Sequence, residues 1–547
     1  NARLPPSFPK KPDPCSLTRE PESAAPSSGG ETAASSGQEF QSASRGMVTF
    51  SVMFCTFIAV LDSTIVNVAM KHMRGAFGVD LSTITWVASS YSIAQVIMIV
   101  MSAWWSTLLG RKRFLLISIA VFTVGSMMSG TATTFNEMMI YRVIQGIGGG
   151  SLVPLSQAIL RESYPPKLQG AAMARFGMGV VMAPAIGPMV GGYLTEEFGW
   201  PWIFYISVPF AIFGFIMVSI YVKDPPYLKR GIRKIDWGGI VFLIVGLTGV
   251  QLFLERGQEE NWFDSTWITW VAVITVTSLA VMIWWELREE EPIVDFRVLK
   301  NVQLSVGSSM MLIFGIAQFG TTFILPQFLL DLLAYSPSYT GLIMAPRGIM
   351  LFITLAVVGR LFQYVDRRIF IPVGVGLIIA GMVVFSRLSL EADFWTMLPG
   401  LILLGMGAPC IFITMSTVAL GSVPPEQATA ASGIFNLARR MGGNIGFALL
   451  TTILERRIAY HRINLLSNIN NLNEAFVRFK SGLGQTLIQK QVPLHMIDEK
   501  SYAMIERMID RQATMLAYND LYIFLGWLFV AIVPLVLLLK ARSDSVK

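Results

Sequence analysis

Asp62 is a carboxylate inside an apolar run. Residues 47 to 70, MVTFSVMFCTFIAVLDSTIVNVAM, are long and apolar enough to cross a hydrocarbon core, and Asp62 is the only ionised side chain among them. Counted from residue 47, it lies roughly 22 Å along a helix that needs about 30 Å to span. A charge at that depth costs at least ~2.5 to 3.5 kcal/mol on insertion scales, so it is expected to face a bundle interior or a wet cavity and to take up a proton. The alternative is a carboxylate that only ties a partner helix through Thr64 or Asn67.

A second buried charge is expected at Arg142, in Arg142-Val-Ile-Gln-Gly-Ile-Gly-Gly-Gly150, where the glycines admit a neighbouring helix. Gln145 adds an amide one turn later. Arg347 follows a proline in another apolar run, and Arg439 and Arg440 lie in a third; each either lines a cavity or reaches the nearer interface. Ala185-Ile-Gly-Pro-Met-Val-Gly-Gly192 combines a kink with a small-residue face. Gly187, Pro188, Gly191 and Gly192 are therefore expected to let their helix bend or slide.

The elements that must position these residues are membrane helices. Of 547 residues, 53% are hydrophobic and 14% are charged, well under the quarter or so of an ordinary soluble chain. The net charge of +7 falls in short clusters between apolar runs, which excludes a nucleic-acid partner and fits membrane topology. Cys15, Cys55 and Cys410 and the histidines His72, His461 and His495 have neither disulfide nor metal spacing, and no cofactor is implied.

Residues 1–46, rich in Pro, Ser, Gly and Ala, read as a disordered tail and not a signal peptide. Asn1 is not an initiator methionine, so what precedes it is left open. Beyond residue 46 we read fourteen membrane helices, an even number that puts both termini on one side. That side is the cytoplasm by the positive-inside rule: Arg111, Lys112 and Arg113 follow helix 2, Lys223, Lys229, Arg230, Arg233 and Lys234 follow helix 6, and Arg360, Arg367 and Arg368 follow helix 10. The first cluster is the expected cytoplasmic anchor. Opposite loops carry acids, among them Glu255, which reads as part of a solvated face. Tyr91, Phe176 and Phe319 read as packing.

An offset of 256 residues aligns Ala103–Lys112 after helix 2 with Gly359–Arg368 after helix 10, and Gly177 and Gly187 with Gly433 and Gly443. Helices 1 to 6 and 9 to 14 are thus two copies, with helices 7 and 8 inserted. The expected fold is an all-α membrane protein of two six-helix bundles plus two helices, with a substrate site between the bundles. The expected division is a bundle over 47–222, a linker with the inserted helices over 223–300, and helices 9 to 13 over 301–454. A long outer loop over 455–519, helix 14 over 520–540 and a tail over 541–547 complete it. Met504–Tyr518 has helical periodicity and is expected to extend helix 14 outward.

Here the sequence resembles the major facilitator superfamily, specifically the fourteen-helix drug:proton antiporters of the EmrB/QacA type. Leu61–Ala69 resembles that family's helix 1 motif, Arg142–Gly150 its helix 4 motif, and Gly187–Gly192 its helix 5 antiporter motif. Trp202–Pro209, Glu255–Trp262, Ala345–Gly348 and Ser432–Arg439 also match, and the resemblance spans residues 47 to 540. The loop after helix 2 departs from Gly-x-Leu-Ala-Asp-Arg-x-Gly-Arg: Ala103, Thr107 and Leu108 replace Gly and Asp-Arg, and Gly110-Arg-Lys-Arg113 remains. Pro201 stands where helix 6 usually opens with Arg.

The resemblance implies no enzyme but a proton-coupled antiporter of the inner membrane that exports amphipathic, hydrophobic or cationic compounds and confers drug resistance. Asp62 would carry the proton, Arg142, Gln145, Arg347 and Asn67 would line the cavity, and helix 5 would be the gate. The bilayer, the proton and a small substrate are the implied partners, and a periplasmic membrane-fusion adaptor with an outer-membrane channel is implied for the long outer segment. Rival readings are a dedicated exporter of one endogenous metabolite, lipid or siderophore, and a transport-inactive receptor or scaffold. A nucleotide-driven pump is disfavoured, because no Gly-x4-Gly-Lys-Ser/Thr loop occurs.

Overall fold

A computed structural model describes residues 30–165, 168–224, 236–289, 292–362, 364–467, 469 and 473–536. The basic residues Lys229, Arg230, Arg233 and Lys234 and the tail 541–547 lie outside the described residues. Residues 30–44, inside the stretch expected to be disordered, are helical and form a unit of their own. Their Ala, Glu and Gln content favours helix where Pro and Gly thin out.

From Arg45 onward the described residues form helices without a strand. In chain order they are α1 (Arg45–Phe77), α2 (Trp86–Leu109), α3 (Arg111–Thr131), α4 (Phe135–Ser163), α5 (Gln169–Glu197), α6 (Trp202–Tyr221) and α7 (Trp237–Arg256). They continue as α8 (Thr266–Arg288), α9 (Val302–Leu332), α10 (Pro337–Leu361), α11 (Arg367–Phe385), α12 (Phe394–Gly421), α13 (Ala428–Leu466) and α14 (Ile497–Val530). Eleven are long and apolar enough to span, and α5 makes a twelfth if its two bent arms are one crossing. The other two of the fourteen expected helices fall short of that length or apolarity but pack among the rest. The short α11 lies along α12, and α13, whose Arg439, Arg440 and Asn444 dilute its apolar character, lies between α9, α2 and α14.

Local chemistry sets the helix ends. Gly110 has φ 87°, a left-handed backbone that other residues resist, and so closes the tight α2–α3 turn. Thr134 and Glu137 form a capping box at the start of α4, and Asp393 and Thr396 another at α12, where the Thr396 backbone N–H bond holds the Asp393 carboxyl below its usual range. In α4 a Cβ at Gly146 would stand 2.5 Å from the Tyr91 carbonyl oxygen, and one at Gly148 would stand 2.6 Å from that of Ser118. Those glycines let α2 and α3 close onto α4 backbone to backbone, and 83% of its apolar window is buried.

The two copies meet crosswise, as a two-fold repeat requires: α5 packs on α10 and α13 on α2. Near the end of the bundle that carries Arg111, here the basic face, a Cβ at Gly359 would meet Ala174 at 2.6 Å and one at Gly433 the Ile99 carbonyl oxygen at 3.1 Å. Burial of the apolar windows is only 28% in α7 and 22% in α8, so the inserted pair lies at the periphery.

The segment expected as a long outer loop is mostly helix. α13 continues to Leu466 and α14 begins at Ile497, so Met504–Tyr518 does extend the last helix, with the short helix Glu474–Gln489 between them. His461 and Asp520 (2.9 Å), Arg462 and Glu506 (2.7 Å) and Lys480 and Asp498 (3.0 Å) pair across this hairpin. Phe476, Ile505 and Ile509 give it a small core of its own. Ion pairs every few turns and an apolar seam make a helical hairpin more stable than an open loop of that length.

Candidate functional site

Asp62 is fully buried and sits in a closed ring of hydrogen bonds. Arg142 Nη1 donates to Asp62 Oδ2 at 2.8 Å and to Gln145 Oε1 at 2.6 Å, and Gln145 Nε2 donates to Asp62 Oδ1 at 2.8 Å. Arg142 and Gln145 share one face of α4 because they are three residues apart. The guanidinium is held further by Arg142 Nε donating to the Val87 carbonyl at 3.0 Å and by the Tyr91 ring, 4.3 Å below it, with the Phe204 ring at 5.6 Å. Tyr91 in turn donates to the Ala59 carbonyl (3.3 Å) and accepts from Gln95 (3.2 Å). Removing either partner of such a buried pair would leave the other charge uncompensated.

Several expectations change against this geometry. Asp62 does not bond Thr64, whose hydroxyl donates to the Leu61 carbonyl at 2.9 Å, and Asn67 is exposed and outside the ring. Of the two settings expected for Asp62, it takes the bundle interior. Arg347 is buried far from Arg142 in the chain's second copy, with Nη2 near the hydroxyls of Thr321 (3.4 Å) and Thr322 (3.3 Å). Arg440 reaches across to Ser92 of α2 at 2.9 Å. Glu255, expected on a solvated face, is half-buried beside α2 and α13.

Tyr91 does more than pack, and Gln95 joins it in the network around Arg142. The polar run Ser89-Ser90-Tyr91-Ser92 to Gln95 within one apolar helix was the available signal. Gln157 was also missed. Its Oε1 accepts from Ser432 (2.8 Å) and Asn436 (2.6 Å), joining α4 to α13 near the basic face.

Helix α5 bends by 42° between Pro184 and Met189. The bend spans Gly187 and Pro188, the latter's side chain lying outside the described residues. A Cβ on Gly187 would collide with the Thr64 hydroxyl, and one on Gly191 would lie 2.6 Å from Ile65 Cγ1. At Gly192 the nearest atom, on Val68, is 3.9 Å away. The tight face of α5 therefore rests on α1 within a turn of Asp62.

On the basic face the surviving fragment of the helix 2–3 motif is tied down. Arg111 is buried and ion-paired with Glu162 of α4; the Lys112 backbone N–H donates to Asp224 (2.8 Å) and its Nζ to the Ser219 carbonyl (2.6 Å), while Arg113 is exposed. Arg161 donates to the Val423 carbonyl of the second copy.

Residues 52–447 match the profile described as Major Facilitator Superfamily. The chain belongs to that superfamily. It is 30% identical over 506 residues to the multidrug export protein EmrB of Escherichia coli K12, covering 90% of this chain and 94% of that protein. It is 28% identical to the fatty acid resistance protein FarB of Neisseria gonorrhoeae over 91% and 96%. The resemblance to the EmrB-type antiporter family is thus borne out. Among solved structures of the Major Facilitator Superfamily, the human organic anion transporter MFSD10 aligns with TM-score 0.55 at 14% identity, over 89% of this chain and 99% of that one. The proton:xylose symporter XylE does so with the same score and identity, over 90% and 97%. The fold is that of a multi-pass Major Facilitator Superfamily membrane protein, and no catalytic family is indicated.

The ion pair has a measurable energetic signature. Arg142→Leu leaves the Asp62 charge buried without its partner, which typically costs about 3 to 5 kcal/mol. Its thermal unfolding midpoint in detergent should fall by several degrees. Adding Asp62→Asn should restore most of the loss, and no restoration would mean that the two side chains are not energetically paired.

Proposed function

We propose that this chain is a proton-coupled antiporter that exports amphipathic compounds across the inner membrane. The observation that carries the reading is the fully buried Asp62 carboxylate, ion-paired with Arg142 and placed against the bent helix α5. Protonation of Asp62 would release Arg142 and Gln145 and favour one arrangement of the two bundles. Substrate would favour the deprotonated carboxylate, so proton and substrate exchange because each binds the two arrangements differently. Taking the basic face as cytoplasmic, as its arginines and lysines suggest, both termini are cytoplasmic. The contacts of Gln157 with Ser432 and Asn436 then belong to a state closed toward the cytoplasm. Arg347 and Asn67 are candidate substrate contacts for the opposite state.

The similarity to EmrB supports drugs as substrates, and the similarity to FarB favours a second reading, export of one lipid-like endogenous compound. Proteoliposomes with an imposed pH gradient, offered ethidium and laurate in parallel, test both. Gradient-driven transport of both supports the broad exporter, and laurate alone supports the dedicated one. Absence of substrate-linked proton flux across a wide panel would leave a receptor or scaffold.

We also propose that the hairpin of residues 455–519 docks a periplasmic adaptor of the membrane-fusion type, which passes substrate to an outer-membrane channel. Its exposed apolar residues beyond the bundle, such as Tyr460 and Ile463, suit a protein contact. Removal of residues 465–500 should leave transport in vesicles intact while cells lose protection. Failure of transport in the vesicles themselves would assign the hairpin to the transporter's own gate and sink the adaptor idea.

A further inference from the structure

The inserted helix α7 carries more polar side chains than its peripheral place requires. Gln251, Glu255 and Gln258 are spaced four and three residues apart and so form one stripe, with Arg256 beside it. The stripe is bonded to both halves of the molecule. Toward the second half, Asn444 of α13 donates to Gln251 Oε1, Thr452 of α13 donates to Gln258 Oε1 at 2.6 Å, and Gln258 Nε2 donates to Glu455. Toward the first half, Arg256 Nη2 donates to Thr85 Oγ1 at 3.2 Å and stacks 5.0 Å from the Trp86 ring.

Direct links between α2 and α13 run along the basic half of their seam, at Ile99 with Gly433 and up to Ser92 with Arg440. Beyond Ser92, toward the far face, the polar links between them pass through α7. The inserted helix therefore acts as a splint over the far half of that seam.

Glu255 is the acid in the splint. Gln251 Nε2 donates to its carboxylate, and the cations near it are Arg440 from α13 and Arg256 from its own helix. The ionisable groups of α8, Glu286 and Arg288, lie at the opposite end of the helix pair. Arg440 also donates to Ser92, the neighbour in sequence of Tyr91, whose ring lies under Arg142.

We propose that Glu255 is a second proton-exchanging carboxylate of the transport cycle, holding α7 across the α2–α13 seam while charged and releasing it when protonated. A charged Glu255 holds the Gln251 amide, whose oxygen accepts from Asn444 of α13, and attracts Arg440, while Arg256 holds the start of α2, so both halves stay fixed to the splint. A proton removes the attraction to Arg440 and one acceptor position, and the far ends of α2 and α13 become free to approach. The inference rests on the antiporter reading, but its test needs no substrate and so fails independently of it.

Spin labels at Lys71 of α1 and Ile463 of α13, both exposed, report the far-face separation in full-length protein with Cys15, Cys55 and Cys410 replaced. In lipid nanodiscs the distance should shorten between pH 8 and pH 5. Glu255→Gln should hold the short distance at both pH values, and Asp62→Asn should retain a pH-dependent change. A Glu255→Gln profile that follows the unsubstituted protein would overturn the proposal, as would loss of the whole response in Asp62→Asn alone.

Discussion

Asp62→Asn should reduce gradient-driven export to the level of empty vesicles while leaving a folded protein in the membrane. Asparagine preserves the shape of the side chain. Its oxygen can accept from Arg142 Nη1, and in either orientation of the Gln145 amide two of the three hydrogen bonds of the ring are kept, since a flip that gives the asparagine nitrogen an acceptor turns Gln145 Nε2 toward Arg142. Arg142 keeps the Val87 carbonyl and the Tyr91 ring. What disappears is the titratable site, and with it the exchange of a proton for substrate. Passive equilibration of a labelled substrate should survive, since it requires reorientation but no protonation. Gradient-driven accumulation by Asp62→Asn at the unsubstituted rate would remove this carboxylate from the coupling mechanism.

Gly187→Leu should slow turnover roughly tenfold or more, about 1.4 kcal/mol or more on the barrier, with substrate binding kept. Even a Cβ at that position meets the Thr64 hydroxyl, and the longer side chain would have to displace α1 or straighten the bend in α5. Overpacking of this kind typically costs about 1 to 3 kcal/mol, and the two arrangements of the bundles will not share that cost equally. Gly192→Ala is the matched control, because its nearest neighbour is 3.9 Å from the added carbon. Equal turnover in both variants would show that the face of α5 near Gly187 does not move against α1.

The membrane fold was legible because apolar length and basic clusters follow directly from the bilayer as solvent. Asp62, Arg142 and Gln145 were legible as individuals, since a polar group at such depth must be used for something. Their mutual pairing was not, because it depends on how α1 and α4 are turned about their axes. Asn67 illustrates the limit: only five residues from Asp62, it points away from the ring. Glu255 was misjudged for a similar reason. A position near a helix end reads as solvated unless the helices covering it are known, and α2 and α13 are distant from it in sequence. The hairpin beyond the membrane reads as a loop because its polar sequence has no apolar run of membrane length, although its periodicity over 504–518 is visible.

The neutrality of the Asp62–Arg142 pair has an electrical consequence. While the carboxylate is charged, the site adds no net charge to the part of the molecule that changes its exposure between the two faces. On the proposed mechanism Asp62 then takes up a proton, and the uncompensated guanidinium leaves that region with one positive charge. An elementary charge crossing the whole membrane field is worth about 2.3 kcal/mol per 100 mV, so even a fraction of that path makes the protonated return step sensitive to voltage. An interior-negative potential would draw it inward and speed resetting of an exporter, even with the pH equal on both sides.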